Sequence, residues 1–192
     1  MRKGELAHLR FGVAESVSSR IFAPVLQSVR ENVANLDLTV AGGKSVALVS
    51  EALDGSLDLD AVERLSDPNL RMRSWVLFRE SVHLILPDGH PLASRDTIAL
   101  SDLGGATLIE RAECDVCMQF RTACETAGVD IQFRHRASGE DQLQNLVRAG
   151  FGLGLSPQSM GALAGLVARP IEGVAIERAV SLATVPRRRF SP

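Results

Sequence analysis

The chain has 192 residues, 45% of them apolar, enough to fill the core of one large domain or two small ones. Lysine and arginine total 21 against 23 aspartates and glutamates, giving a net charge of -2 with both signs interspersed. That balance excludes the broad basic surface that holds a phosphate backbone, and no apolar run approaches the roughly 20 residues needed to cross a bilayer. Met1 to Leu9 carries charges but no apolar leader, so a cytoplasmic protein is expected.

In chain order, Leu9, Phe11 and Val13 alternate with Arg10 and Gly12, which predicts a strand opening toward Glu15 and Ser16. A helix follows, capped by Ser18 or Ser19. Ile21, Phe22, Val25, Leu26, Val29 and Val33 recur at helical spacing along it, and Pro24 is tolerated in the first turns. Leu36, Leu38 and Val40 alternate as a second strand up to Gly42 and Gly43. Val46, Leu48, Val49, Ala52 and Leu53 then form a second helical stripe that stops at Gly55. Leu57 to Val62 is the third strand. Strand, helix, strand, helix, strand at this spacing calls for right-handed crossovers and a parallel sheet, which is half of a doubly wound α/β fold.

The plan then repeats. Val82 to Leu86 is an apolar run ending at Pro87, Ser101 to Leu103 starts a short turn, and Ala106 to Ile109 reads as a strand opening into Glu110 and Arg111. A helix spans roughly Cys114 to Ala127 and stops at Gly128. Ile131, Phe133 and His135 alternate as a strand, and Ser138 with Asp141 forms a capping pair ahead of Leu143, Leu146 and Val147, with Gly150 closing that helix. Leu153 to Leu155 reads as a buried strand, and the alternation from about Ala175 to Val185 should return to the first sheet. Two α/β lobes joined by two crossings would set strand carboxyl ends from both against one cleft, the place where open α/β sheets bind ligands. A small polar ligand, a carboxylate, is expected there.

Four segments carry a family likeness. Leu9-Arg10-Phe11-Gly12-Val13, Gly55-Ser56-Leu57-Asp58-Leu59, Leu86-Pro87-Asp88-Gly89-His90-Pro91-Leu92-Ala93 and the run from Val147 through Gly150, Gly152 and Gly154 to Ser156-Pro157 resemble LysR-type transcriptional regulators, in that family's order. The resemblance implies a type II periplasmic-binding-protein-like pair of Rossmann-like lobes with a central effector cleft. It also implies a homodimer (a tetramer when full-length) and DNA contact only through an N-terminal winged helix-turn-helix that is absent here. The implied division is a linker remnant over 1–8, a first lobe over 9–82 with 168–192, and a second lobe over 83–167. Arg2-Lys3-Gly4-Glu5-Leu6 resembles the end of the linker, and family members continue past Pro192 into a last helix. No cofactor, metal or catalytic group is expected.

By position, the resemblance makes Ser16 a hydroxyl contact to an effector carboxylate, with Ser18 near the start of the next helix, although a hydroxyl there can simply cap. Lys44 and Ser45 stand where the family carries a glycine and a hydroxyl residue. Lys44 could give a cation to an anionic effector or merely be solvated. Arg111 could fork onto a carboxylate, or Glu110 and Glu113 could neutralise it in a surface network. Ser138 completes the set. Asp60 is unusual inside a strand, and either pairs with Lys44 or sits at a solvent-facing strand end.

Cys114-x-x-Cys117 resembles a redox or metal pair, and Cys124 falls two turns beyond Cys117 on one helix face. Glu113 and Asp115 disfavour a thiolate, and no second cysteine pair or nearby histidine completes a zinc site, so filling the helix core is the expected duty. Gly150-x-Gly152-x-Gly154 follows a helix and precedes a strand, the reverse of a dinucleotide fingerprint. His90 belongs to a turn and His135 to a strand, neither with a partner placed for nucleophilic catalysis. Arg187, Arg188 and Arg189 read as a solvated tail. Two other readings share the architecture: a stand-alone solute-binding protein, which needs a leader or lipid anchor, and an enzyme, which needs converging acid-base groups.

Overall fold

The computed structural model describes residues 7–63, 71–112 and 114–186. The linker-like segment Arg2 to Leu6, Glu113 and the Arg187 to Arg189 cluster lie outside them. The first elements are β1 (Ala7–Ala14), α1 (Ala23–Asn32), β2 (Leu36–Gly43), α2 (Ser45–Asp54), β3 (Leu59–Val62) and β4 (Arg73–Pro87). After them come β5 (Ile98–Ala99), β6 (Ala106–Arg111), α3 (Asp115–Ala127), β7 (Ile131–Ala137) and α4 (Glu140–Arg148). The chain ends with β8 (Gly154–Pro157), β9 (Leu166–Arg169), β10 (Ile171–Glu172) and β11 (Glu177–Thr184). Two compact units result: one runs to Arg79 and resumes at Ala179, the other is Glu80–Arg178, and the chain passes between them at β4 and β11.

In the first unit β1 pairs in parallel with β2, from Ala7 opposite Leu36 to Ala14 opposite Gly43, and with β3 on its other side, while β11 joins β3 antiparallel. Parallel neighbours cannot be joined by a tight turn, so α1 and α2 carry the crossovers. Phe11, Val13, Leu48, Ala52, Ala61, Val62 and Val180 are buried together, with the Phe11 and Phe22 rings edge to face at 5.1 Å. Gly55 ends α2 in the left-handed region at φ 100°, a conformation a Cβ would strain.

The expected serine cap of the first helix is not formed. Ser18 precedes a short 3-10 turn, Ser19–Phe22, without a side-chain bond, and α1 starts at Ala23 with Pro24 in its first turn. Its inward face is lighter than the stripe suggested: Ile21, Phe22 and Leu26 reach the core, whereas Val25 is 57% exposed.

In the second unit β6 and β7 pair in parallel, Leu153 bridges to Leu108 on the other side of β6, and β4 pairs antiparallel with β8 and β9. Period-2 alternation assigns the two faces. Leu84, Leu86 and Leu108 pack with Phe120 and Cys124 of α3, and Ile85 and Ile109 pack with Leu143 and Val147 of α4. β4 is much longer than the apolar run Val82 to Leu86: its first half holds a second apolar run, Trp75 to Phe78, which is mostly exposed and is not among the strands expected from the sequence. The Ser138–Asp141 capping pair is also corrected: Gly139 is the cap residue of α4, no side chain caps it, and Ser138 is exposed. No helix among the described residues is long and apolar enough to cross a membrane.

Asp60 departs furthest from expectation. It neither pairs with Lys44 nor faces solvent: it is fully buried on β3 opposite Gly12, and both carboxyl oxygens lack a hydrogen-bond partner. A Cβ on Gly12 would come within 2.6 Å of its Oδ1, so only glycine leaves room for it. Burial first, and then the charge of Glu51, push the Asp60 carboxyl up to about 7 from an ordinary 3.8. Below about pH 4 folded and unfolded chains both keep that proton, and no penalty arises. As pH climbs from 4 to 7 the unfolded chain ionises while the folded one resists, so stability is lost across that window and stays lower above it. Asp60→Asn should flatten this dependence and raise unfolding free energy at pH 8 by on the order of 2 kcal/mol, read by urea denaturation at pH 5 and 8. An unchanged pH profile in the variant would rule the assignment out.

Candidate functional site

Parallel pairing decides where loops can gather. Because Ala14 lies opposite Gly43, the turns leaving β1 and β2 emerge side by side at one sheet edge, tied by the Glu15 amide donating to the Gly43 carbonyl at 2.9 Å. Ser16 sits half-buried in the first turn, which the Val17 amide closes onto the Ala14 carbonyl at 2.8 Å, and Ser18 follows, buried at 5% exposure. On the neighbouring turn Lys44 is the exposed cap residue of α2 and engages a partner of its own, and Ser45 is the helix's first residue, half-buried. Orphan amides of the first turn of α2 and the helix dipole add positive potential at this edge. The four expected residues of the first unit therefore all follow the ends of two paired strands.

The second unit has an equivalent edge. Arg111 ends β6 opposite Ala137, which ends β7, and Ser138 comes next. The part of the surface-network reading that paired Arg111 with Glu110 is corrected by their partners, while Glu113 lies outside the described residues. Glu110 pairs instead with Arg136 at 2.9 Å and Arg121 at 3.5 Å, whereas Arg111 is buried and donates from Nη1 to Glu140 at 2.8 Å. Its Nη2 approaches the Cys114 sulfur at 3.6 Å.

Glu140 is a hub that sequence reasoning passed over. Its Oε1 accepts from Gln144 Nε2 at 2.9 Å and from the hydroxyl of the fully buried Ser156 on β8. Gln144 also donates to the Gly161 carbonyl and accepts from the Leu163 amide, both at 2.8 Å. Each member of the network thus has a partner, as burial of polar groups demands. The one sequence cue was Glu140 and Gln144 at helical i, i+4 spacing, which does not tell an inward pair from a solvated one. A second buried pair, too far apart in sequence to be read as one, joins Glu80 to Arg178 at 2.7 Å, with the Ser159 amide donating to Glu80 at 2.7 Å.

The cysteines divide. Cys117 and Cys124 fill the core as expected, but Cys114 is the half-buried cap residue of α3. A hydrogen bond from Cys117 and the nearby charge of Arg111 pull its thiol down to about 6 against the cost of burial, while the Cys117 thiol is pushed up by that same bond and by burial. Glu113 and Asp115 had suggested the opposite for Cys114. The Cys117 hydrogen bond first, and then the guanidinium three residues upstream, give the lowered direction instead. Among the described residues no group of three or more His, Cys, Asp or Glu is placed to hold a metal ion.

A family model described as the LysR substrate binding domain matches residues 2–192. The chain belongs to that family. A curated relative, the HTH-type transcriptional regulator TtuA of Agrobacterium vitis, is 28% identical over 162 residues, covering 81% of this chain and 52% of the relative. The chain spans about half the length of such relatives. Among solved structures, the effector binding domain of QuiR in complex with shikimate aligns with a TM-score of 0.82 at 13% identity, over 98% of this chain and 91% of that one. The regulatory domain of Synechocystis PCC6803 CcmR in complex with 2-PG aligns at 0.77 and 17%, over 96% and 90%. The fold is thus the α/β, type II periplasmic-binding-protein-like fold of LysR regulatory domains.

Removing the hub would take the Glu140 carboxylate away from the buried Arg111 guanidinium. Glu140→Ala should lower the unfolding free energy by about 3 kcal/mol, and the double variant with Arg111→Met should lose less than the sum of the single losses. Denaturant titration of the four proteins checks this, and simple additivity would show that the pair does not act as a unit.

Proposed function

We propose that this chain is the effector-sensing part of a LysR-type transcriptional regulator, and that it binds a small anionic metabolite without altering it. The observation that carries the reading is the clustering of Ser16, Ser18, Lys44 and Ser45 at the carboxyl edge of β1 and β2, beside the first turn of α2. Hydroxyls, helix amides and a lysine in that place suit a carboxylate. In this reading Arg111 and Ser138 are candidate contacts at the second unit's own edge. Arg111 is already balanced by Glu140, so it orients a ligand carboxylate more than it neutralises one. A ligand favours whichever conformation binds it better, and that differential affinity is the signal.

The same reading makes the protein a cytoplasmic non-enzyme that reaches DNA only through a winged helix-turn-helix in the longer regulator. The regulator acts as a homodimer, and as a tetramer when full-length. A groove lined by Leu26, Val33, Leu36 and Leu38 together with Gln27, Arg30 and Asn35, and exposed Val25 on α1 and Val40 on β2, support self-association through the first unit.

Thermal-shift screening against a library of small carboxylates tests the reading. A true effector at 100 times its Kd should add about 2.7 kcal/mol of stability. Ser16→Ala and Ser45→Ala should each weaken its binding by roughly 10-fold or more, because each removes a hydrogen bond to a charged group. A best ligand that stabilises both variants as much as the parent would place the site elsewhere, and conversion of that ligand during incubation would mark an enzyme.

A further inference from the structure

We propose that Cys114 and Cys117 form a reversible dithiol–disulfide site that reacts with low-molecular-weight disulfides, Cys114 attacking and Cys117 resolving. The geometry sorts the two roles. Cys114 occupies the cap position of the 13-residue helix α3, partly open to solvent, with an extended backbone (φ -107°, ψ 103°) and the Arg111 Nη2 at 3.6 Å from its sulfur. Cys117 lies one turn on, 4% exposed, its amide bonded to the Cys114 carbonyl at 3.1 Å. Cβ atoms three apart on a helix stand about 5–6 Å from each other and a disulfide brings them to about 4 Å. The cap residue, whose dihedrals are not helical, can absorb that difference. Cys124 is fully buried and takes no part.

The chemistry balances as two exchanges. The Cys114 thiolate attacks one sulfur of the external disulfide, forming a mixed disulfide and expelling the other half as a thiolate. The Cys117 thiol then attacks the Cys114 sulfur, the second half leaves, and the Cys117 proton passes to a departing thiolate. The protein pair is oxidised by two electrons and the external disulfide is reduced to two thiols. Oxidation also removes the thiolate beside Arg111, whose guanidinium bonds Glu140 as well. At pH 7 the lowered Cys114 thiol supplies about 90-fold more thiolate than an ordinary cysteine, offset by roughly 20-fold lower nucleophilicity, so its rate advantage is only about 4-fold and the pH profile is the sharper signature.

The test equilibrates the reduced full chain with glutathione mixtures from reduced to fully oxidised, followed by thiol counting and peptide mapping by mass spectrometry. The parent should lose two thiols, retain no glutathione, and yield a Cys114–Cys117 disulfide that dithiothreitol reverses. Cys117→Ser should hold one glutathione on Cys114, and its alkylation rate by iodoacetamide should level off above about pH 7. Retention of all three thiols by the folded parent under fully oxidised glutathione, while the urea-unfolded chain reacts, would overturn the proposal. So would a disulfide that maps to Cys124, or a stable glutathione adduct on the parent. Mapping of the parent decides the matter even if a variant does not fold.

Discussion

Parallel strand pairing is the constraint on which the other features depend. A strand beside a parallel neighbour must be reached by a crossover, so β1, β2 and β3 bring α1 and α2 with them, and β6 and β7 bring α3. Every such crossover leaves the sheet at a strand's carboxyl end and enters a helix at its amino end. Loop residues, orphan amides and the positive end of a helix dipole are thereby concentrated at one edge. Ser16, Ser18, Lys44 and Ser45 owe their proximity to the Ala14–Gly43 register rather than to nearness in sequence. A slip of one residue would turn Phe11 and Val13 away from the core as well as dispersing the hydroxyls, so core burial and site geometry enforce the same register.

Charges buried within the units follow two different rules. Arg111 with Glu140, and Glu80 with Arg178, are taken out of water as pairs whose remaining donors and acceptors are met by side chains or amides. Such pairs contribute little net stability compared with apolar residues of the same shape, yet breaking one side is costly, which makes them devices for fixing an arrangement. Glu140 and Arg111 fix α4 relative to the end of β6, where the proposed contact residues lie. Asp60 is solved the other way, by holding its proton in the absence of a partner. Gly12 exists opposite it for a steric reason, since any larger residue would collide with that carboxyl and with Leu57.

Much of the fold was legible in the sequence because hydrophobic period reports which face of an element is buried. Leu9 to Val13, the Leu48 and Ala52 stripe and its glycine stop, and the Ile131 to His135 alternation all became the elements they suggested. Period fails where apolar residues do not alternate with polar ones. The first half of β4 holds Trp75, Val76, Leu77 and Phe78 as an unbroken, mostly exposed run without a period of two, and the serine caps failed because Pro24 and Gly139 already set the entry geometry of α1 and α4. The site was half legible for a related reason. Positions at strand ends could be read off the elements, but side-chain partners could not, because Glu140 is 29 residues from Arg111 and Arg178 is 98 from Glu80.

The partners at the second unit's edge bear on what kind of site it is. A side chain that transfers protons must keep a lone pair or a proton available to the ligand. Glu140 spends its oxygens on Arg111, Gln144 and Ser156, which makes it a strut. The first unit's edge offers hydroxyls and amides, groups that hold an anion through hydrogen bonds and release it unchanged. The proposed binding without turnover rests on residue type and saturation together. That reversibility is what a sensor of metabolite level requires: occupancy tracks concentration only when nothing consumes the ligand in the site.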